Sequence, residues 1–239
     1  FVIAAVLLVL FVRREGSTST PMLHLDLFKN RTFTLGALAA FVAFMSTSSI
    51  FFLMPFYLQE VLGYVPREAG LIMISSAASM VITGPISGRF ADRFGWRPLT
   101  ITGAGISAIG MLLLTRLSLN SGLVLVISAL ICHGGGGGIF HAANHTSIMT
   151  AADPRRFGVA SAFINLNRNT ASTVGQAIAV AIAVATMASL GFAPRLDVIA
   201  EGGTVGIAGA FTMGLRNVYY VATGLMLLVL GLAVFQGKR

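Results

Sequence analysis

Six long apolar runs constrain this chain more than any other feature. They cover roughly residues 33–57, 69–87, 99–117, 122–149, 159–190 and 215–235. About 20 apolar residues cross a hydrocarbon core of about 30 Å. Lipid offers no partner to backbone N–H and C=O groups, so such runs close their own hydrogen bonds as helices. The expected fold is therefore all-α and polytopic. Only 10% of the residues are charged, against about a quarter in a soluble domain. The net charge of +8 does not point to nucleic acid, because the basic residues fall between apolar runs without interleaved aromatics. Cys132 is the single cysteine, which excludes an internal disulfide and a cysteine-based metal cage.

The chain opens with twelve apolar residues followed by Arg13 and Arg14. A signal peptide carries its positive charge ahead of its apolar region, so residues 1–12 read as the tail of a preceding span and the chain as a fragment. Residues 13–32 then form a cytoplasmic connection, 33–236 a six-span bundle and 237–239 a cytoplasmic C-terminus. Basic residues set the orientation. One side holds Arg13, Arg14, Lys29, Arg31, Arg89, Arg93, Arg97, Arg155, Arg156, Lys238 and Arg239, and the other holds only Arg67, Arg116, Arg195 and Arg216. The first side is expected to face the cytosol.

Between the second and third runs, residues 88–99 read as a short charged loop joining antiparallel helices. Gly88 and Gly95 suit turns or close backbone approach. Asp92 can accept from Arg93, Arg97 or a helix N-terminus, and Pro98 tolerates a helix start. The pattern Gly-x-x-Ala-Asp-Arg-x-Gly-x-Arg-x-Leu, from Gly88 to Leu99, resembles the loop motif of the major facilitator superfamily of transporters, with Phe90 and Trp96 as departures. In that family the loop helps latch one conformation. The segment 25–34, and the sequence Pro55-Phe56-Tyr57-Leu58-Gln59 followed by Gly63-Tyr64 and Ala69-Gly70-Leu71, are similar to the fourteen-span drug:proton antiporter branch. Pro55 is expected to kink or end its helix.

Polar residues inside the runs carry the functional signal. Ser161, Asn165, Arg168, Asn169, Ser172 and Gln176 recur as one helical stripe. Arg168 is the only charge placed inside a run, and an arginine at a span centre costs about 2.5–3.5 kcal/mol. The stripe must face a cavity or a partner helix, leaving lipid to Val180 and Ile182. Three roles stay open for Arg168: an inner gate or interface, contact with substrate or a proton-carrying carboxylate, or structural glue. In the second run Ser76, Ser79, Thr83, Gly84, Ser87 and Gly88 form a small-residue face, which packs a helix or forms a sliding seam. In the fourth, Gly134 to Gly138 read as a bend lining a cavity, followed by His141, Asn144 and His145. Two imidazoles without a third ligand are not a metal site, and no cofactor is expected. A proton role for either histidine stays open. All eight acidic residues lie in connections, so a carboxylate that carries protons is expected in a missing N-terminal half.

The resemblance implies a six-helix C-terminal transporter bundle whose first and fourth spans line the cavity. The second and fifth would meet the other half, and the third and sixth, read as free of charge, would face outward. The expected function is proton-driven efflux of hydrophobic or cationic small molecules across the plasma membrane. Export of a lipid, siderophore or metabolite, and a non-transporting sensor or assembly partner, are the alternatives. Nothing in the spans pairs a nucleophile with a base or two carboxylates, so an enzyme is not expected.

Overall fold

A computed structural model describes residues 25–192 and 205–236, together with Arg14. The expected span tail over 1–12, most of the connection after it and residues 237–239 lie outside the described residues. Six long helices follow one another: α1 (Arg31–Phe56), α2 (Pro66–Phe94), α3 (Trp96–Leu114), α4 (Leu123–Ala151), α5 (Phe157–Ser189) and α6 (Val205–Gln236). All six are long and apolar enough to cross a membrane, as the apolar runs require.

Local chemistry fixes the ends. The Asn30 side chain accepts from the backbone N–H groups of Thr32 and Phe33 at 2.9 and 3.4 Å, capping α1. As expected of Pro55, the α-helix ends close after it, at Phe56, although the chain stays helical. Two residues after the proline the ladder widens into a π-helical turn over Tyr57–Val61, in which Leu62 N–H reaches Tyr57 O at 3.1 Å. Proline supplies no N–H, and a wider turn accommodates the lost bond. α6 begins ten residues before its apolar run. The segment 205–214 is apolar and rich in glycine and alanine, and it extends the helix upstream of the expected run. Arg216 therefore lies inside α6 rather than in a connection. Its Nε donates to Thr115 O at the C-terminal cap of α3, 2.9 Å away, where a cation meets the negative end of the helix dipole. Arg168 is thus not the one charge within the helices, and the sixth span is not free of charge.

The helices pack as two triplets. α4 lies between α2 and α3, α1 lies against α5 and α6, and α3–α6 and α1–α4 contacts join the triplets. The most apolar windows of α1 and α4 are 61% and 56% buried, whereas those of α2 and α5 are only 17% and 28% buried. The two central helices are therefore those expected to line a cavity, and α2 and α5 present open faces. Val180 and Ile182, expected to be left to lipid, are only partly exposed. Both pack against the core that Ala179, Ala183, Met187 and Phe211 help to build.

The glycine run is not a bend. Gly134 to Gly138 are buried within continuous helix. A Cβ on Gly134 or Gly138 would strike Ser76 or Met80 backbone on α2, and one on Gly136 would strike Gly103 and Ser107 backbone on α3. Removing side chains on both flanks lets α4 sit against two backbones at once. The α2 hydroxyls complete the seam. Thr83 donates to Gly135 O at 2.9 Å and Ser87 to Ile139 O at 3.0 Å.

Candidate functional site

A cleft of about 470 Å³ opens among α1, α2, α4 and α5. Ala40 and Phe44 of α1, Met80 of α2, His141, Asn144, His145 and Ile148 of α4, and Ser161, Ile164, Asn165 and Arg168 of α5 line it. Helical spacing explains the convergence. His141, Asn144, His145 and Ile148 follow at three- and four-residue steps, as do Ser161, Ile164, Asn165 and Arg168, so each helix presents one stripe.

The histidine nearest the cleft wall is held by aromatic rings. Phe44 stacks on His141 with ring centroids 4.3 Å apart and planes at 18°, and Phe140 meets the same imidazole edge-on at 5.2 Å. His145, one turn on, is exposed. Asn144 does structural work instead. Its Nδ2 donates to Gly36 O at 2.9 Å, tying α4 to α1, and its Oδ1 is buried without a hydrogen bond among the described residues. Next to it Gln236, the last residue of α6, donates to Thr32 O and Ser147 Oγ at 3.2 and 2.9 Å. That amide cluster ties the ends of α1, α4 and α6 together.

On α5 the stripe divides. Ser161, Asn165 and Arg168 reach the cleft, while Asn169, Ser172 and Gln176 lie beyond its lining. Asn165 donates back to Ser161 O at 3.1 Å. Arg168 is exposed and makes no hydrogen bond or ion pair with any described residue. It lies about 16 Å along α5 from Phe157 at 1.5 Å per residue. The sequence reading overlooked Asn167, whose Nδ2 donates to Ala37 O at 2.9 Å and anchors α5 to α1. It also overlooked Phe44 and Met80. Nothing in an apolar run distinguishes a ring that lines a cleft from one that fills a core, although Asn167 was visible as a polar residue beside Arg168. His133, buried, shares a 2.8 Å hydrogen bond with Ser107 of α3 and takes no part in the cleft. No group of three His, Cys, Asp or Glu residues comes together among the described residues.

The charged loop is one residue long. α2 runs through Gly88, Asp92 and Arg93 to Phe94, and α3 starts at Trp96. Only Gly95 turns the chain, with φ of +82°, where a side chain would be strained. Gly88 is an ordinary helical residue, and a Cβ there would meet nothing. Asp92 is exposed and has no hydrogen bond or ion pair among the described residues. The expected partners are turned elsewhere. Arg93 is the next residue on the same helix and points to another side, with its guanidinium 5.4 Å from the Phe94 ring centroid. Arg97 crosses to the end of α6 and donates to Val234 O at 3.2 Å.

Comparison with known proteins follows the geometry. The Major Facilitator Superfamily model matches residues 1–176 and 37–238. A riboflavin transporter of Clostridioides difficile is 29% identical over 174 residues, which is 73% of this chain and 38% of that protein. A lincomycin resistance protein of Listeria monocytogenes is 26% identical over 232 residues, covering 97% of this chain and 48% of its own length. A multidrug transporter protein of Bacillus subtilis is 30% identical over 175 residues, 73% of this chain and 32% of that protein. The chain thus spans half or less of the relatives it matches.

Proposed function

The chain belongs to the major facilitator superfamily, and from that premise we propose that it is the C-terminal bundle of a secondary transporter that exports hydrophobic small molecules in exchange for protons. The observation that carries this reading is the cleft between α1, α2, α4 and α5, which opens on the poorly buried faces of α2 and α5. A matching half, laid on those faces, would close the cleft into a site between two bundles near the membrane midplane. Relatives named for multidrug transport and lincomycin resistance support the export of foreign compounds. One relative named for riboflavin favours a second reading, in which an endogenous metabolite is the cargo. We further propose the fourteen-span arrangement, with the proton-carrying carboxylate in the other half, because no acidic residue lines this cleft. Recognition of a cationic cargo belongs in this reading to that other half, for the same reason.

The basic junctions of α2 with α3, where Arg89, Arg93 and Arg97 lie on the helix ends, and of α4 with α5 are assigned to the cytoplasmic face of the plasma membrane. Asp92, Arg93, Gly95 and Arg97 at the first of them serve as the conformational latch. The test is efflux of preloaded Nile red from cells producing the intact protein. Efflux is expected to exceed that of cells lacking the protein, and the excess is expected to vanish when an uncoupler collapses the proton gradient. An excess that survives the uncoupler excludes protons as the driving ion.

A further inference from the structure

We propose that the cleft of this bundle binds an oxyanion, a carboxylate or its like, carried on a flat aromatic body, with Arg168 as the residue that selects the charge. This deepens the export reading above and rests on it only for the route by which such a compound reaches the cleft.

Charge decides the matter first. Among the residues that line the cleft, Arg168 carries the one fixed charge and no carboxylate opposes it. Its guanidinium has no hydrogen bond or ion pair with any described residue. A guanidinium without a counter-charge on a helix apolar enough to cross a membrane is unfavourable, so it is a standing demand for an anion. Five N–H donors in a planar fork match the two oxygens of a carboxylate. A cationic ligand in the same place would meet repulsion without a counter-charge.

Shape comes second. Phe44, Met80, Ile148 and Ile164 supply apolar wall, and the stacked pair of Phe44 and His141 presents parallel ring faces at its side. A ring system gains from offset stacking on such a pair. The volume of about 470 Å³ is in the range that holds one drug-sized molecule. Asn165 and Asn144 each spend one amide donor on a backbone carbonyl, and the exposed His145, which also lines the cleft, can offer a further donor toward the ligand.

A matched series isolates charge from shape: 2-naphthoate, 2-naphthamide and 2-naphthylmethylammonium. Binding of each to the purified intact protein is measured by titration calorimetry. We expect 2-naphthoate to bind about tenfold more tightly than the amide, the scale of one charge-assisted hydrogen bond, and the ammonium compound to bind most weakly. Arg168→Gln, which keeps most of the side-chain length, should erase the preference for naphthoate over the amide. Arg168→Lys should retain part of it. Phe44→Leu should weaken all three compounds alike. The proposal is overturned if the ammonium compound binds as tightly as naphthoate, if Arg168→Gln leaves the preference intact, or if none of the three binds. It is also overturned if Arg168→Gln abolishes proton-driven efflux of Nile red with the naphthoate preference unchanged, since Arg168 would then answer to a carboxylate of the other half. Nile red efflux that persists alongside a negative naphthoate result leaves the export reading standing, so the two failures are separable.

Discussion

Asp92 occupies the last turn of α2, where the helix dipole presents its negative end and a carboxylate is disfavoured. It is exposed, and neither Arg93 nor Arg97 neutralises it. An unfavourable charge left at the open edge of a bundle is suited to a partner that arrives in only one conformation. Asp92→Asn keeps the shape and removes the charge, so transport should fall about five- to tenfold, the low end of a site-to-site coupling, while the amount of protein in the membrane stays the same. Unaltered transport at normal protein level would reduce the junction to a connection. Arg168 poses the same question on α5. The sequence marked it as costly, and the structure adds that no described residue neutralises it.

At the scale of an element, α4 is decided by its missing side chains. Gly136 faces the α3 backbone so closely that a Cβ would overlap Gly103 O and Ser107 N, whereas a Cβ on Gly137 would meet only the His141 ring at 4.0 Å. Two neighbouring alanine substitutions therefore separate packing from helix propensity. Gly136→Ala should destabilise the bundle by about 1–3 kcal/mol through overpacking and lower the melting temperature of the detergent-solubilised protein. Gly137→Ala should leave it unchanged or raise it, since alanine favours helix over glycine by up to about 1 kcal/mol. Equal losses at both positions would mean that close packing against the α3 backbone is not what the run is kept for. α2 and α3 show a related economy. Gly95 reverses the chain in a single residue because its φ of +82° is open to glycine, and the charges before it ride on helix.

For the whole molecule, orientation is the testable property. With Cys132 replaced by serine, a cysteine at Asp153, in the connection between α4 and α5, should react with a membrane-impermeant maleimide only after the cells are opened. One at Asn120, in the exposed connection between α3 and α4, should react in intact cells. Labelling of Asp153→Cys in intact cells would invert the topology. The six spans, the all-helical class and the family were legible in the sequence, because apolar length and helical periodicity are local properties that lipid enforces on each segment separately. The convergence of His141, Asn144 and His145 with Ser161, Asn165 and Arg168 was only half legible. Each stripe could be read from its own spacing, but which stripes meet depends on how the helices rotate and cross. The role of the glycine run and the partners of Arg97, Asn144, Asn167 and Arg216 were decided by tertiary contacts alone. Each depends on a backbone carbonyl or a close helix face from a distant part of the chain, and no local pattern encodes where those lie.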